Sequence, residues 1–186
     1  LLEKYDDCVL SISVTTRKPR EGEVDGRDYF FRTKEEVEAM IEADELLEYA
    51  QYVENYYGTP RAYVEEMLSR GKNVILEIEI QGALKVKKAF PDTLLLFITP
   101  PTAQELRSRL VGRGTETLDV IESRMDRACE EAEGMDQYDY LIVNDDLDTC
   151  VEEVHRIIRG EHHRSTRNTG FMEKIKEDLN SLKGEK

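Results

Sequence analysis

The sequence is short of several things that would mark a protein class. Its 186 residues hold three cysteines, Cys8, Cys129 and Cys150, far apart and without a C-x-x-C pair. Neither a disulfide framework nor a zinc site is indicated, and a reducing cytosol fits best. No apolar run approaches the roughly 20 residues needed to cross a bilayer, so neither a spanning helix nor a membrane partner is expected. The opening Leu1-Leu2-Glu3-Lys4 is not Met and lacks the charged, apolar and small-residue zones of a signal peptide, so natural residues upstream of Leu1 are expected. Basic residues are in deficit. Twenty-six Lys and Arg face 40 Asp and Glu, and the formal charge of -14 sets up a field that repels nucleic acid as a whole. An anionic ligand must therefore be caught locally. No repeat or low-complexity tract appears. What remains, 39% hydrophobic and 35% charged, is a globular chain with room for one core and at most a small appended lobe.

Apolar, β-branched runs bounded by polar breaks predict buried strands over 8–13, 74–80, 94–99 and 140–144. Helical patterns follow over 82–90, 102–110 and 118–133. Thr102 with Glu105 forms a capping-box start, and Gly112-Arg113-Gly114 interrupts the pattern. Strands alternating with helices point to a parallel sheet covered on both faces, with ligands beyond the carboxyl ends of the strands. Residues 29–71 differ. Aromatic strand candidates at 29–31 and 49–52 flank a helix that starts on a Thr33/Glu36 capping box and puts Val37, Met40 and Ile41 on one face. A second helix is predicted from Pro60, at its first position, to a stop at Gly71. This stretch reads as a small mixed lobe inserted into an α/β core, and the polar C-terminal segment as a peripheral helix over 171–182.

Five constellations carry chemistry. The first is the run from Ser11 to Glu23, where a strand meets Thr15, Thr16, Arg17, Lys18 and Arg20, stiffened by Pro19. Guanidinium forks match phosphate oxygens, although a solvated basic turn answered by Glu21, Glu23 and Asp25 reads equally well. The second is Glu48 with Asn55-Tyr56-Tyr57-Gly58-Thr59-Pro60. A carboxylate accepts from both N1–H and the exocyclic amine of guanine, whereas adenine presents a lone pair at N1. The plainer readings are a solvent-facing Glu48, a helix N-cap for Thr59, and packing roles for Tyr56 and Tyr57. Glu77 and Glu79, alternating with apolar residues in the third, are expected on one face of a largely buried strand, where they must meet cations, donors or a hydrated metal. An edge strand with one wet face is the other possibility. The fourth is Arg109 and Arg113, four apart, with Arg124 in the next helix. They suggest a mobile clamp on transferring phosphates or merely a charged helix surface. Last come Asn144, placed to face a purine, and Asp146, suited to cap the following helix.

In order and spacing these segments resemble the guanylate kinase family over essentially the whole chain. The matching stretches are Ser13-Val14-Thr15-Thr16-Arg17-Lys18-Pro19-Arg20-Glu21-Gly22-Glu23, Glu48-Tyr49-Ala50, Asn55-Tyr56-Tyr57-Gly58-Thr59, Leu76 to Gly82, Gly112 to Thr117 and Val143 to Asp146. The resemblance implies transfer of the γ-phosphoryl group of ATP, with Mg²⁺, to GMP or dGMP, giving ADP and GDP in purine nucleotide metabolism in the cytoplasm. It implies an α/β core of the P-loop nucleoside monophosphate kinase type over 1–28, 72–108 and 125–186, a GMP-binding lobe over 29–71 and a helical lid over 109–124. By matching position, Ser13, Arg17, Arg20, Tyr29 and Tyr57 hold the GMP phosphate, Glu23 supports the arginine pair, and Glu48, Thr59 and Glu79 read guanine. Glu77 lies near the metal and phosphates. Arg109, Arg113 and Arg124 are the lid arginines, the first two also touching ATP, and Asn144 is the adenine-side contact. Oligomeric state is left open.

One element of the family is missing. Nothing in these residues matches the Gly-rich loop G-x-x-x-x-G-K-[ST] that cradles ATP phosphates. Leu1 to Tyr5 read as the end of the helix that should follow it, so the sheet is expected to lack a strand. Two alternatives follow: a non-catalytic module of this fold that binds phosphorylated partners, and a kinase of the same fold for a sugar phosphate. Neither has a use for a guanine-reading Glu48.

Overall fold

A computed structural model describes residues 1–52, 54–112 and 117–184. In chain order the elements are β1 (Cys8–Leu10), β2 (Val14–Thr15), β3 (Phe30–Phe31), α1 (Lys34–Glu42), β4 (Leu46–Tyr52), β5 (Asn55–Pro60), α2 (Arg61–Ser69) and β6 (Asn73–Ile75). They continue with α3 (Ile80–Ala89), β7 (Leu96–Thr99), α4 (Ala103–Gly112), α5 (Leu118–Ala132), β8 (Tyr140–Val143), α6 (Leu147–Glu161) and α7 (Thr169–Gly184).

The core strands pair in parallel, β1 with β6 and β7 with β8. On α6, Cys150, Val154 and Ile158 recur every four residues and seal against Cys8 and Ile142. Asp146 caps α6, its side chain accepting from the Thr149 amide at 2.8 Å. No helix of the described residues is long and apolar enough to cross a membrane.

All four predicted core strands are shorter than the apolar runs suggest, the first two by the most. The 8–13 run ends as a strand at Leu10, and Val14–Thr15 instead joins a second, mixed sheet in the order β3-β2-β5-β4. The 74–80 run ends at Ile75, because its partner β1 ends at Leu10 and the last ladder bond runs from the Ser11 amide to the Ile75 carbonyl, 2.8 Å. Glu77 and Glu79 therefore do not share the face of a buried strand. Both are exposed, and Glu79 occupies the cap position of α3. Pro60 likewise falls at the cap position of α2, not at its first helical position.

The mixed sheet has two unlike faces, and a bulge sets them. Leu46 pairs with Pro60 and Glu48 with Thr59, so the extra residue between them turns Leu46 and Glu48 to opposite sides. One side is apolar: Val14, Leu46, Phe30 and Tyr56 close over Val37, Met40 and Ile41 of α1. Helix α1 is fixed by the expected capping box, Thr33 Oγ1 accepting from the Glu36 amide at 3.2 Å and Glu36 from the Thr33 amide at 2.7 Å. The other side carries Thr15, Phe31, Tyr57, Thr59 and Glu48.

Gly58 lets β4 and β5 close. A methyl group there would lie 2.8 Å from Leu46 Cδ1 and 3.1 Å from the Glu48 carbonyl oxygen. Gly58→Ala is expected to lower unfolding stability by about 1–3 kcal/mol, seen as a lower urea midpoint at unchanged slope. An unaltered midpoint would mean that the strands separate at no cost.

Candidate functional site

The first corner of the site is built where β2 runs out into the arginine-rich turn. The Arg17 guanidinium meets Glu23 in a two-pronged pair, Nη1 to Oε2 at 3.0 Å and Nη2 to Oε1 at 2.8 Å. It sits 5.4 Å from the Tyr29 ring centroid and 5.9 Å from that of Phe31. Tyr57 closes the group, its ring 6.2 Å from Tyr29. Glu23 also accepts from the Arg20 amide at 2.6 Å, and Arg17 together with that amide holds its carboxyl below the usual carboxylate range. The Arg20 side chain is exposed, and its guanidinium makes no hydrogen bond or ion pair among the described residues. Ser13 is half-buried at the same turn, its carbonyl accepting from the Phe30 amide at 2.9 Å.

The second corner lies along the same strand. Tyr57 and Thr59 are two residues apart on β5 and project from one face, which separates them by about 6.8 Å. Thr59 is fully buried and Glu48 only 8% exposed. The Thr59 hydroxyl donates to Glu48 Oε1 at 2.7 Å instead of capping α2. Burial pushes the Glu48 carboxyl upward. The Thr59 bond and the Lys85 charge oppose that shift, and the Glu79 charge adds to it. Gly82 leaves room for the carboxylate, since a Cβ there would stand 3.0 Å from Glu48 Oε2. Glu79 in turn forms an ion pair with Arg127 of α5.

A third group stands at the carboxyl ends of β7 and β8. Arg109 donates from Nε to Glu105 at 2.7 Å and from Nη1 to the Asn144 carbonyl at 2.9 Å. With Thr99, Leu106 and Asn144 it lines a cleft of about 200 Å³. Arg124 is exposed on α5, one turn before Arg127 and on the same face. Arg113 lies outside the described residues. Glu77 is exposed, without a hydrogen bond or ion pair among the described residues.

The structure thus joins Arg17, Glu23, Tyr29 and Tyr57 in one cluster and Glu48 with Thr59 in a neighbouring one, with Glu79 near enough to act on Glu48. It keeps Arg109 and Asn144 together in a cleft of their own. Sequence reasoning missed Phe31 beneath Arg17, Lys85 opposite Glu48 and Arg127 on Glu79. Only Arg127 left a trace in the sequence, three positions after Arg124 and hence on its helical face.

An α/β core of parallel strand pairs, extended by a mixed sheet that sets an arginine cluster beside a buried carboxylate, is the build of a nucleotide-handling phosphotransferase. Residues 1–161 match the family model described as guanylate kinase. A guanylate kinase of Bacillus cereus is 56% identical over 169 residues, spanning 91% of this chain and 82% of that protein. One of Enterococcus faecalis is 55% identical over 174 residues, 94% of this chain and 85% of its own. The crystal structure of guanylate kinase from Anaplasma phagocytophilum superposes with a TM-score of 0.77 at 32% identity, covering 94% of this chain and 86% of that one. The chain belongs to the guanylate kinase family.

Proposed function

We propose that the mixed sheet is the GMP or dGMP site of an enzyme that moves the γ-phosphoryl group of ATP onto the nucleotide phosphate, yielding ADP and GDP. The observation that carries this reading is the spacing of the two corners on β5: Tyr57 stands beside the Arg17 cluster, and Thr59 is bonded to the buried Glu48. A purine 5′-monophosphate has the same order of parts, an anion at one end and a hydrogen-bonding base edge at the other.

In this reading Arg17 and Arg20, with Ser13, Tyr29 and Tyr57, hold the monophosphate, and Glu23 positions the first arginine. Glu48 accepts from guanine N1–H and the exocyclic amine, with Thr59 and Glu79 completing the base contacts. Arg109, Arg113 and Arg124 gather the phosphates from the lid, and Asn144 faces adenine in the cleft beside Arg109. The division into core (1–28, 72–108, 125–186), GMP lobe (29–71) and lid (109–124) follows the same logic.

Little covalent work falls to the protein. Two aligned substrates and a field of guanidinium groups supply positioning and charge neutralisation, the main contributions to phosphoryl transfer. The hard oxygen donors that suit Mg²⁺ are represented by the exposed carboxylate of Glu77, just beyond the carboxyl end of β6. When bound, the ion neutralises charge on the ATP phosphates. Purine nucleotide metabolism in the cytoplasm is the setting this chemistry fits.

The test is nucleotide preference. With ATP and Mg²⁺ the full-length protein, provided it carries the Gly-rich phosphate loop, is expected to use GMP over AMP by about 10⁴ in kcat/KM, because adenine leaves a buried carboxylate unpaired. Equal use of the two would remove Glu48 and Thr59 from the base pocket.

A further inference from the structure

At the amino end of β1, away from the nucleotide-facing residues, three side chains of different elements converge. Asp7, Cys8 and His155 each offer one ligand atom, and these atoms lie within 4.8 Å of one another. His155 Nε2 stands 3.3 Å from Asp7 Oδ1, and Cys8 Sγ 3.7 Å from the same oxygen. The His155 ring is stacked on Tyr5 with centroids 3.5 Å apart and planes within 6°. Asp7 Oδ2 accepts from Asn73 Nδ2 at 3.3 Å, and Asn73 Oδ1 is bonded to His162 Nε2 at 2.8 Å.

The geometry points to a binding site for a thiophilic divalent cation, Zn²⁺ by ligand chemistry, held by Asp7, Cys8 and His155 with water in the fourth position. Zinc takes nitrogen and oxygen ligands at about 2.0–2.2 Å and sulfur at about 2.3 Å, so a tetrahedral site has N–O edges of about 3.4 Å and S–O edges of about 3.6 Å. The observed 3.3 and 3.7 Å match both edges. The remaining sulfur–nitrogen pair lies within 4.8 Å, and metal binding must draw these two atoms to about 3.6 Å.

Donor softness selects the ion, because thiolate and imidazole disfavour Mg²⁺ and Ca²⁺. Charge balance agrees. Cys8 is 4% exposed, and a thiolate so deeply buried needs neutralising; a dication with one thiolate, one carboxylate and a neutral imidazole sums to zero. On binding, the Cys8 thiol gives its proton to solvent and its sulfur lone pair to the metal. Asp7, with its side chain 38% exposed, opens the entry path. Tyr5, Asn73 and His162 form the outer layer that orients the ligands. Spacing rules fail here because Asp7 and His155 are 148 positions apart.

Cobalt substitution tests this on the full chain. One equivalent of Co²⁺ is expected to give a thiolate-to-cobalt charge-transfer band that Zn²⁺ displaces. Cys8→Ser should abolish the band, Cys129→Ser should keep it, and Asn73→Ala should weaken metal affinity about 10- to 100-fold. His155→Gln, which keeps a polar side chain of similar length at this mostly buried position, serves as a second ligand variant should Cys8→Ser fail to fold, and it too should lose tight binding while GMP affinity persists. No band with the full chain, a band that survives Cys8→Ser, or affinity unchanged in His155→Gln overturns the site.

Discussion

Replacing Glu48 by Gln is expected to lower GMP affinity by about 10²–10⁴, the loss of two charge-assisted hydrogen bonds at roughly 1.5–3 kcal/mol each. Gln offers one acceptor and one donor where guanine presents two donors. Adenine presents an acceptor at N1 and a donor at its amine, the complement of an amide. The variant should therefore lose its preference for GMP over AMP as well as its affinity. The free fold should move the other way. Because burial raises the Glu48 carboxyl above its ordinary value of 4.5, the folded state binds that proton more tightly than the unfolded chain does. Stability from this group is full below the unfolded value and falls as pH rises through the raised one. Keeping or ionising this buried carboxyl as pH rises therefore costs stability, a cost that Gln, which can still accept from Thr59, does not carry. Urea titrations should show the variant more stable than the parent at pH 7, with the gap narrowing as pH falls below the raised value. GMP affinity of the parent should weaken on acidification from a pH above the ordinary carboxyl range, and that of the variant should stay flat there. Calorimetry across pH reads both effects, and unchanged GMP binding in the variant ends the assignment of this carboxylate.

How much of this was legible in the sequence depended on how local the determining forces are. The Thr33/Glu36 box and the Asp146 cap were readable because their bonds span three residues. The core face of α6, although Cys150, Val154 and Ile158 recur at helical spacing, went unassigned beyond its Asp146 cap. The side to which Glu48 points was not readable, since it depends on a bulge that exists only when Leu46 pairs with Pro60 and Glu48 with Thr59. Strand β5 escaped because Thr59 and Pro60 read as the cap and first residue of a helix, whereas Gly58 sits where a side chain would strike Leu46 of the paired strand. Glu77 and Glu79 looked like buried strand residues because alternation alone cannot tell where the neighbouring strand stops. Lys85 beside Glu48 and Arg127 on Glu79 come from other helices, and only tertiary folding makes them neighbours. The basic turn was ambiguous in the sequence, and each of its two readings describes one arginine. Arg17 is answered by Glu23, and Arg20 is not.

That difference makes Arg20→Ala the cleaner probe of the phosphate corner. Arg17 is bound up with the fold: its pair with Glu23 is mostly buried, with side-chain exposures of 16% and 19%, and its guanidinium lies over Tyr29 and Phe31. Removing it would strand Glu23 and loosen the turn, mixing lost binding with lost order. Arg20 contributes its backbone amide to Glu23 at 2.6 Å, which alanine retains, while its exposed guanidinium adds only a minor charge attraction to the turn. Substitution is therefore expected to change stability by no more than about 0.5 kcal/mol, as for an ordinary surface position. Its effect on GMP should be large: two charge-assisted bonds to phosphate, roughly 1.5–3 kcal/mol each, amount to about 10²–10⁴ in Kd. Guanosine, which has the base and no phosphate, separates the corners. Its affinity should be the same for parent and Arg20→Ala, and the dependence of GMP binding on salt should be shallower in the variant because one cationic contact is gone. Arg20→Lys should recover charge but not the forked geometry, leaving an intermediate Kd. Equal losses for guanosine and GMP would place Arg20 at the base or in the fold, and an unchanged GMP affinity would leave the phosphate to Arg17 alone.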